Sequence, residues 1–206
     1  MPKSGAGTSK PAVAAVSDVY TATIYVAAPG TPLSEGGTSL PGHMYFEITQ
    51  GGVKRSYGFA PIQHGSAYTM GKIYYNDASN YIKPRYARTM EINKTHYDAL
   101  EAFGSDPVKQ KFSLFYNGAS NSCIDFTWSA LNHAGLHADL LWTRKSLEGD
   151  LKPLDNIRWI TYINDPLPKS TLNKEIWNAM PPRSVQQWLL SQNSKPNLIQ
   201  SAGRRV

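Results

Sequence analysis

Residues 43–60 constrain the fold more than any other part of this sequence. They read HMYFEIT, then Gln50-Gly51-Gly52, then VKRSYGFA, and Pro61 follows. Two runs rich in β-branched and aromatic residues around a glycine turn predict an antiparallel hairpin. In the first strand Met44, Phe46 and Ile48 alternate with His43, Tyr45 and Glu47, so the two sets point to opposite faces.

The rest of the pattern builds on that hairpin. Residues 18–28 (DVYTATIYVAA), 86–92 (YARTMEI) and 111–116 (KFSLFY) read as further strands. Residues 29–42 are a long Pro- and Gly-rich loop, and 62–85 read as irregular and Tyr-rich. Asn93 or Thr95 caps a helix that runs through His96, Tyr97, Leu100 and Phe103 and ends at Gly104. Residues 122–134 form the clearest helix, closed by Gly135, and short helical pieces are expected near 172–178 and 184–190. Strand, hairpin, strand, helix, strand, helix is an α+β order: a mostly antiparallel sheet with helices packed on one side. One domain over 18–190 is expected, with a flexible tail at 1–17 and a frayed one at 191–206.

Composition narrows the chemistry. At 206 residues, 41 % hydrophobic and 17 % charged, the chain has a globular composition. No apolar run approaches the roughly 20 residues of a membrane span. The N-terminal residues lack a sustained apolar segment of secretory type, so a route without a Sec signal is expected. Net charge is +6, with Lys and Arg scattered, which suits an anionic polymer but carries no nucleic-acid motif. There is one cysteine, Cys123, so no internal disulfide can form.

Cys123 stands in Asn121-Ser122-Cys123-Ile124-Asp125-Phe126-Thr127-Trp128. Ser122 with Asp125 three residues on fits a capping-box start, which makes Cys123 the first helical residue. Cys123, Phe126, Ala130, Leu131 and Ala134 make the apolar stripe, with Trp128 and Ser129 towards other faces. Free N–H groups and the positive end of the helix dipole favour a thiolate at that position and can stabilise an oxyanion. A cysteine filling a buried gap needs no capped polar lead-in. Cys123 is therefore read as a nucleophile.

A thiol nucleophile needs a base. His43, His64, His96, His133 and His137 are available. His96 lies on a surface helix and reads as solvated. His133 is ten residues along the helix from Cys123, about 15 Å away, too far to serve it. His133 and His137 are four apart, but Gly135 separates them and no zinc-type pattern surrounds them. His43, at a strand start after Pro41-Gly42, is placed to face a helix N-terminus and is read as the base. No metal or organic cofactor is called for.

The segments Gly42-His43-Met44-Tyr45-Phe46-Glu47-Ile48 and Asn121 to Trp128 together resemble the circularly permuted branch of the papain-like, NlpC-type cysteine hydrolases. In that branch the strand histidine precedes the helix cysteine. Tyr57-Gly58-Phe59-Ala60-Pro61, Ser66, Arg88-Thr89-Met90-Glu91-Ile92 and Leu131-Asn132-His133-Ala134-Gly135 resemble bacterial toxin domains of this class, among them type VI secretion cell-wall amidase effectors. The resemblance implies a monomeric antibacterial hydrolase that cuts an amide bond in peptidoglycan stem peptides. It would act in the periplasm of a target bacterium and work with an immunity protein and a secretion component. It also implies a third polar residue that orients the histidine. His64 is favoured for that role, with Gln63, Ser56 and Glu47 as alternatives. Acyl transfer or thioester hydrolysis on the same fold, and a non-catalytic module for anionic cell-wall polymer, are the rival expectations.

Overall fold

A computed structural model describes residues 19–63, 65–137 and 149–182. Strands β1 (Tyr20–Ala27), β2 (His43–Gln50) and β3 (Val53–Pro61) are followed by β4 (Tyr68–Tyr74) and the one-turn helix α1 (Asp77–Asn80). Then come β5 (Tyr86–Ile92), α2 (Lys94–Ser105), β6 (Phe115–Asn117) and α3 (Cys123–His133). A 3-10 turn (Pro153–Asn156), α4 (Ile157–Thr161) and β7 (Lys174–Trp177) complete the described chain. The protein is α+β: the described residues form seven strands in the order β6-β4-β3-β2-β1-β5-β7, every neighbouring pair antiparallel.

The expected hairpin forms with Gln50 opposite Val53 and Phe46 opposite Tyr57. Its alternating apolar set is the core. Met44, Phe46 and Ile48 are fully buried, with Phe126 and Leu131 of α3 and Leu100 and Phe103 of α2 in the same cluster. The β2–β3 ladder stops at Phe46–Tyr57, and from Gly58 onward β3 pairs with β4 instead. That handover leaves the start of β2, with His43, at a split between two ladders.

Four expectations need correction. Residues 62–85 are not wholly irregular, because β4 and α1 lie there. The inward positions of β4 include Gly71, where a Cβ would come within 2.4 Å of the Phe59 ring. Outward Tyr68 and Met70 are exposed, so the strand carries no ordinary apolar alternation. The strand expected at 111–116 shrinks to β6, because Lys111 takes a left-handed conformation (φ 66°). The turn it belongs to buries Phe112 against Phe59, Phe103 and Phe126.

The piece near 172–178 is strand, not helix. Asn173 and Asn178 clip it to β5: Asn173 Oδ1 accepts from Glu91 N at 2.8 Å, and Asn178 N donates to Arg85 O at 3.0 Å. Finally, Trp128 does not point away from the core. It is fully buried and donates through Nε1 to Asn156 Oδ1 at 2.8 Å, because the chain from 149 onward lies over that side of α3. The expected tails and the helical piece at 184–190 lie outside the described residues. Among the described residues no helix is long and apolar enough to cross a membrane.

Candidate active site

The helix bearing Cys123 starts as its sequence requires. Ser122 Oγ accepts from Ile124 N at 3.2 Å, and Asp125 Oδ2 accepts from Ser122 N at 2.7 Å and from Ser122 Oγ at 2.8 Å. This reciprocal cap satisfies two donors that the first turn otherwise leaves open. At the far end Leu136 N donates to Leu131 O at 2.8 Å and Gly135 N to Asn132 O at 3.0 Å, a Schellman closure around left-handed Gly135. Cys123 is 7 % exposed at the first helical position. Of the N–H groups at the helix start, that of Ile124 is taken by the cap. Among the described residues nothing accepts from the Cys123 N–H.

His43 opens β2 behind Gly42, whose φ of +80° is left-handed and whose Cβ, if present, would stand 2.6 Å from Ala27 O. Only glycine brings the chain into the strand there. His43 and Asp77 are each 4 % exposed. His43 Nε2 lies 2.7 Å from Asp77 Oδ2. A carboxylate only accepts, so Nε2 carries the proton and donates it, and Nδ1 is the ring nitrogen left to serve a thiol.

Asp77 was not among the candidates read from the sequence. It starts α1, a helix that the sequence does not announce. Two features place it. Ser56 Oγ accepts from Ala78 N at 3.1 Å and so fixes the start of α1 against β3. Gly58 leaves the space the pair occupies: a Cβ there would lie 1.7 Å from Asp77 Oδ2 and 2.9 Å from His43 Nε2. Gly58 faces away from core residues Tyr57 and Phe59, so α1 lies over the sheet face opposite α2 and α3. That is a departure from helices on one side only.

The other candidates fall elsewhere. Glu47 is buried but pairs with Lys54 Nζ at 3.2 Å and accepts from Tyr25 Oη at 3.4 Å. Ser56 acts on α1 rather than on His43, and Gln63 is exposed. His64 lies outside the described residues. His133 is exposed in the last turn of α3, its ring 5.8 Å from that of Phe103. His96 is half-buried rather than solvated, and burial lowers its pKa.

Electrostatics favour a charged His43. Burial by itself lowers its pKa, but the negative charges that surround it and its bond to Asp77 outweigh that and hold it well above the usual histidine value. Tyr81, Asp77 and Cys123 act in that direction. Burial raises the pKa of Tyr81 and keeps that phenol neutral, so near neutral pH the bond to Asp77 supplies the pull. Cys123 also acts on Tyr81 and Tyr116, so these two phenols share its surroundings. The imidazole and the carboxylate thus meet at the β2–β3 split, and α3, which Cys123 begins, packs on the same two strands. No family model matches this chain, and no curated protein and no solved structure matches it either.

Proposed function

We propose that this protein is a cysteine hydrolase in which Cys123 is the nucleophile, His43 the general base and acid, and Asp77 the residue that orients His43. The buried 2.7 Å contact from His43 Nε2 to Asp77 Oδ2, beside a capped helix that begins at Cys123, carries the reading. Within that class we take it for an amidase or endopeptidase of peptidoglycan stem peptides. In this reading it belongs to the permuted papain-like, NlpC-type fold and is delivered as an antibacterial effector to the periplasm of a target cell. The basic composition and the likeness of residues 57–61, Ser66, 88–92 and 131–135 to bacterial toxin domains of this class support the substrate. An immunity protein and a secretion component are the partners this role requires.

The proposed chemistry uses these groups as follows. His43 Nδ1 takes the thiol proton, and the thiolate attacks the amide carbonyl carbon. The Cys123 N–H donates to the oxyanion. His43 returns the proton to the departing amine as the C–N bond breaks, leaving a thioester. Water, deprotonated by His43, attacks the thioester; the carboxylic acid leaves and the thiol is restored. Asp77 keeps Nδ1 aimed at sulfur throughout. The test is digestion of purified sacculi, with the released muropeptides read by mass spectrometry. Wild type releases stem-peptide fragments, and Cys123→Ala and His43→Ala release none. Equal digestion by all three, or none by wild type, overturns the reading.

A further inference from the structure

We propose that Tyr45 and Tyr81 are positioning residues for His43, their ring faces holding the imidazole plane and favouring its doubly protonated form. The inference rests on the reading of Cys123 and His43 as nucleophile and base. The His43 ring centroid lies 4.9 Å from that of Tyr81 at an interplanar angle of 20°, and 5.4 Å from that of Tyr45 at 24°. Tyr45 and Tyr81 themselves meet at 5.2 Å. Tyr25 of β1 stacks behind Tyr45 at 4.9 Å and 15°, so the Tyr45 ring is backed as well as packed. These angles lay the tyrosine rings nearly parallel to the imidazole, and the face of a tyrosine ring is the negative side of its quadrupole. A cation within about 6 Å of such a face is attracted, most strongly where water is excluded.

The chain supplies Tyr81 and Asp77 from one device. Tyr81 caps α1 by donating its N–H to Asp77 O at 3.0 Å, and an isolated bridge pairs it with Leu33 of the long loop. The turn that brings the carboxylate to Nε2 therefore also lays a ring on the imidazole. The groups facing His43 are Asp77 from α1, Tyr81 beyond it, Tyr45 from its own strand, Cys123 from α3 and Tyr74 from β4. Asp77 meets the Nε2 proton at 2.7 Å, and the two tyrosines supply the rings that lie nearly parallel to the imidazole. Packing alone does not require a tyrosine at 45. Its hydroxyl is buried without a hydrogen-bond partner among the described residues, a cost that an aliphatic side chain would avoid.

The experiment is a pH titration of the histidine ring nitrogens by long-range 1H–15N correlation in the full chain. His43 is assigned by the signals lost in His43→Gln, and circular dichroism checks folding. In Tyr81→Leu the His43 midpoint moves to lower pH, the ratio of doubly to singly protonated ring at fixed pH falling about tenfold. Tyr81→Phe and Tyr45→Phe, which keep the ring face, stay at the wild-type midpoint. Where leucine does not fold, pentafluorophenylalanine at position 81 keeps the ring shape, reverses its quadrupole and gives the same downward move. An unmoved midpoint in Tyr81→Leu or the fluorinated chain, or an equal move in Tyr81→Phe, overturns the proposal. The readout needs no turnover, so the two readings fail separately. Digestion lost in Cys123→Ala with an unmoved His43 overturns this inference alone; digestion kept in Cys123→Ala overturns the hydrolase.

Discussion

Gly58 and Asp77 exclude one another's side chains: a Cβ on Gly58 would sit 1.7 Å from Asp77 Oδ2. The carboxylate that holds His43 exists where it does because β3 carries a hydrogen there. Gly58→Ala must displace Asp77, since the same Cβ also crowds His43 Nε2 at 2.9 Å. The variant is expected to fold, because the methyl group faces away from Tyr57 and Phe59 in the core. Its hydrolytic rate on sacculi is expected to fall about 10²-fold, the scale of a disturbed acid–base pair. A rate within twofold of wild type would show that Asp77 does not orient the base.

The Asp77–His43 bond makes a prediction about pH. His43 is held above its unfolded value, so it contributes stability fully present below about pH 6.5 and lost as pH rises through the folded value. Urea midpoints measured from about pH 6 to about pH 9 should therefore fall with rising pH in wild type. Asp77→Asn removes the charge and keeps the shape, and its midpoint should change less over the same window. An equal slope in both proteins would assign the pH dependence to another group.

The sequence carried the hairpin and the capped helix because each is written in adjacent residues. Ser122 with Asp125, Gly51-Gly52, and the alternation behind His43 all act within a few positions. Asp77 was not legible for the opposite reason. It follows Tyr-rich residues with no apolar period, its helix is one turn long, and Ser56 and Gly58 that place it come from another strand. Glycine at 58 could have signalled it, since Gly in a strand interior marks a close approach. Strand β7 was misread because all four of its residues are exposed, so no burial pattern distinguishes strand from helix.

Asn156 ties the chain after residue 149 to the cysteine helix. It is fully buried, accepts from Trp128 Nε1 at 2.8 Å and Asp150 N at 2.9 Å, and donates to the carbonyls of Asp150 and Lys152. Asn156→Ala strands these partners in a dry interior at about 1–3 kcal/mol for each left unsatisfied. A loss of about 3 kcal/mol in urea unfolding is expected, with a red shift of tryptophan emission as Trp128 gains water. A loss under about 0.5 kcal/mol would mean that the segment is not anchored through this residue.

The cap of α3 links stability to reactivity at one point. Ser122→Ala removes the acceptor of Ile124 N and the hydroxyl partner of Asp125, and should cost about 1 kcal/mol. The freed first turn no longer fixes the Cys123 N–H. Hydrolysis of sacculi should therefore fall more than the folded fraction does, while alkylation of Cys123 by iodoacetamide, which forms no oxyanion on an amide carbonyl, should fall less. Asp125→Ala removes the other half of the cap and should reproduce both effects. Parallel loss of alkylation and hydrolysis in the two variants would place the defect in the thiol itself rather than in the oxyanion donor.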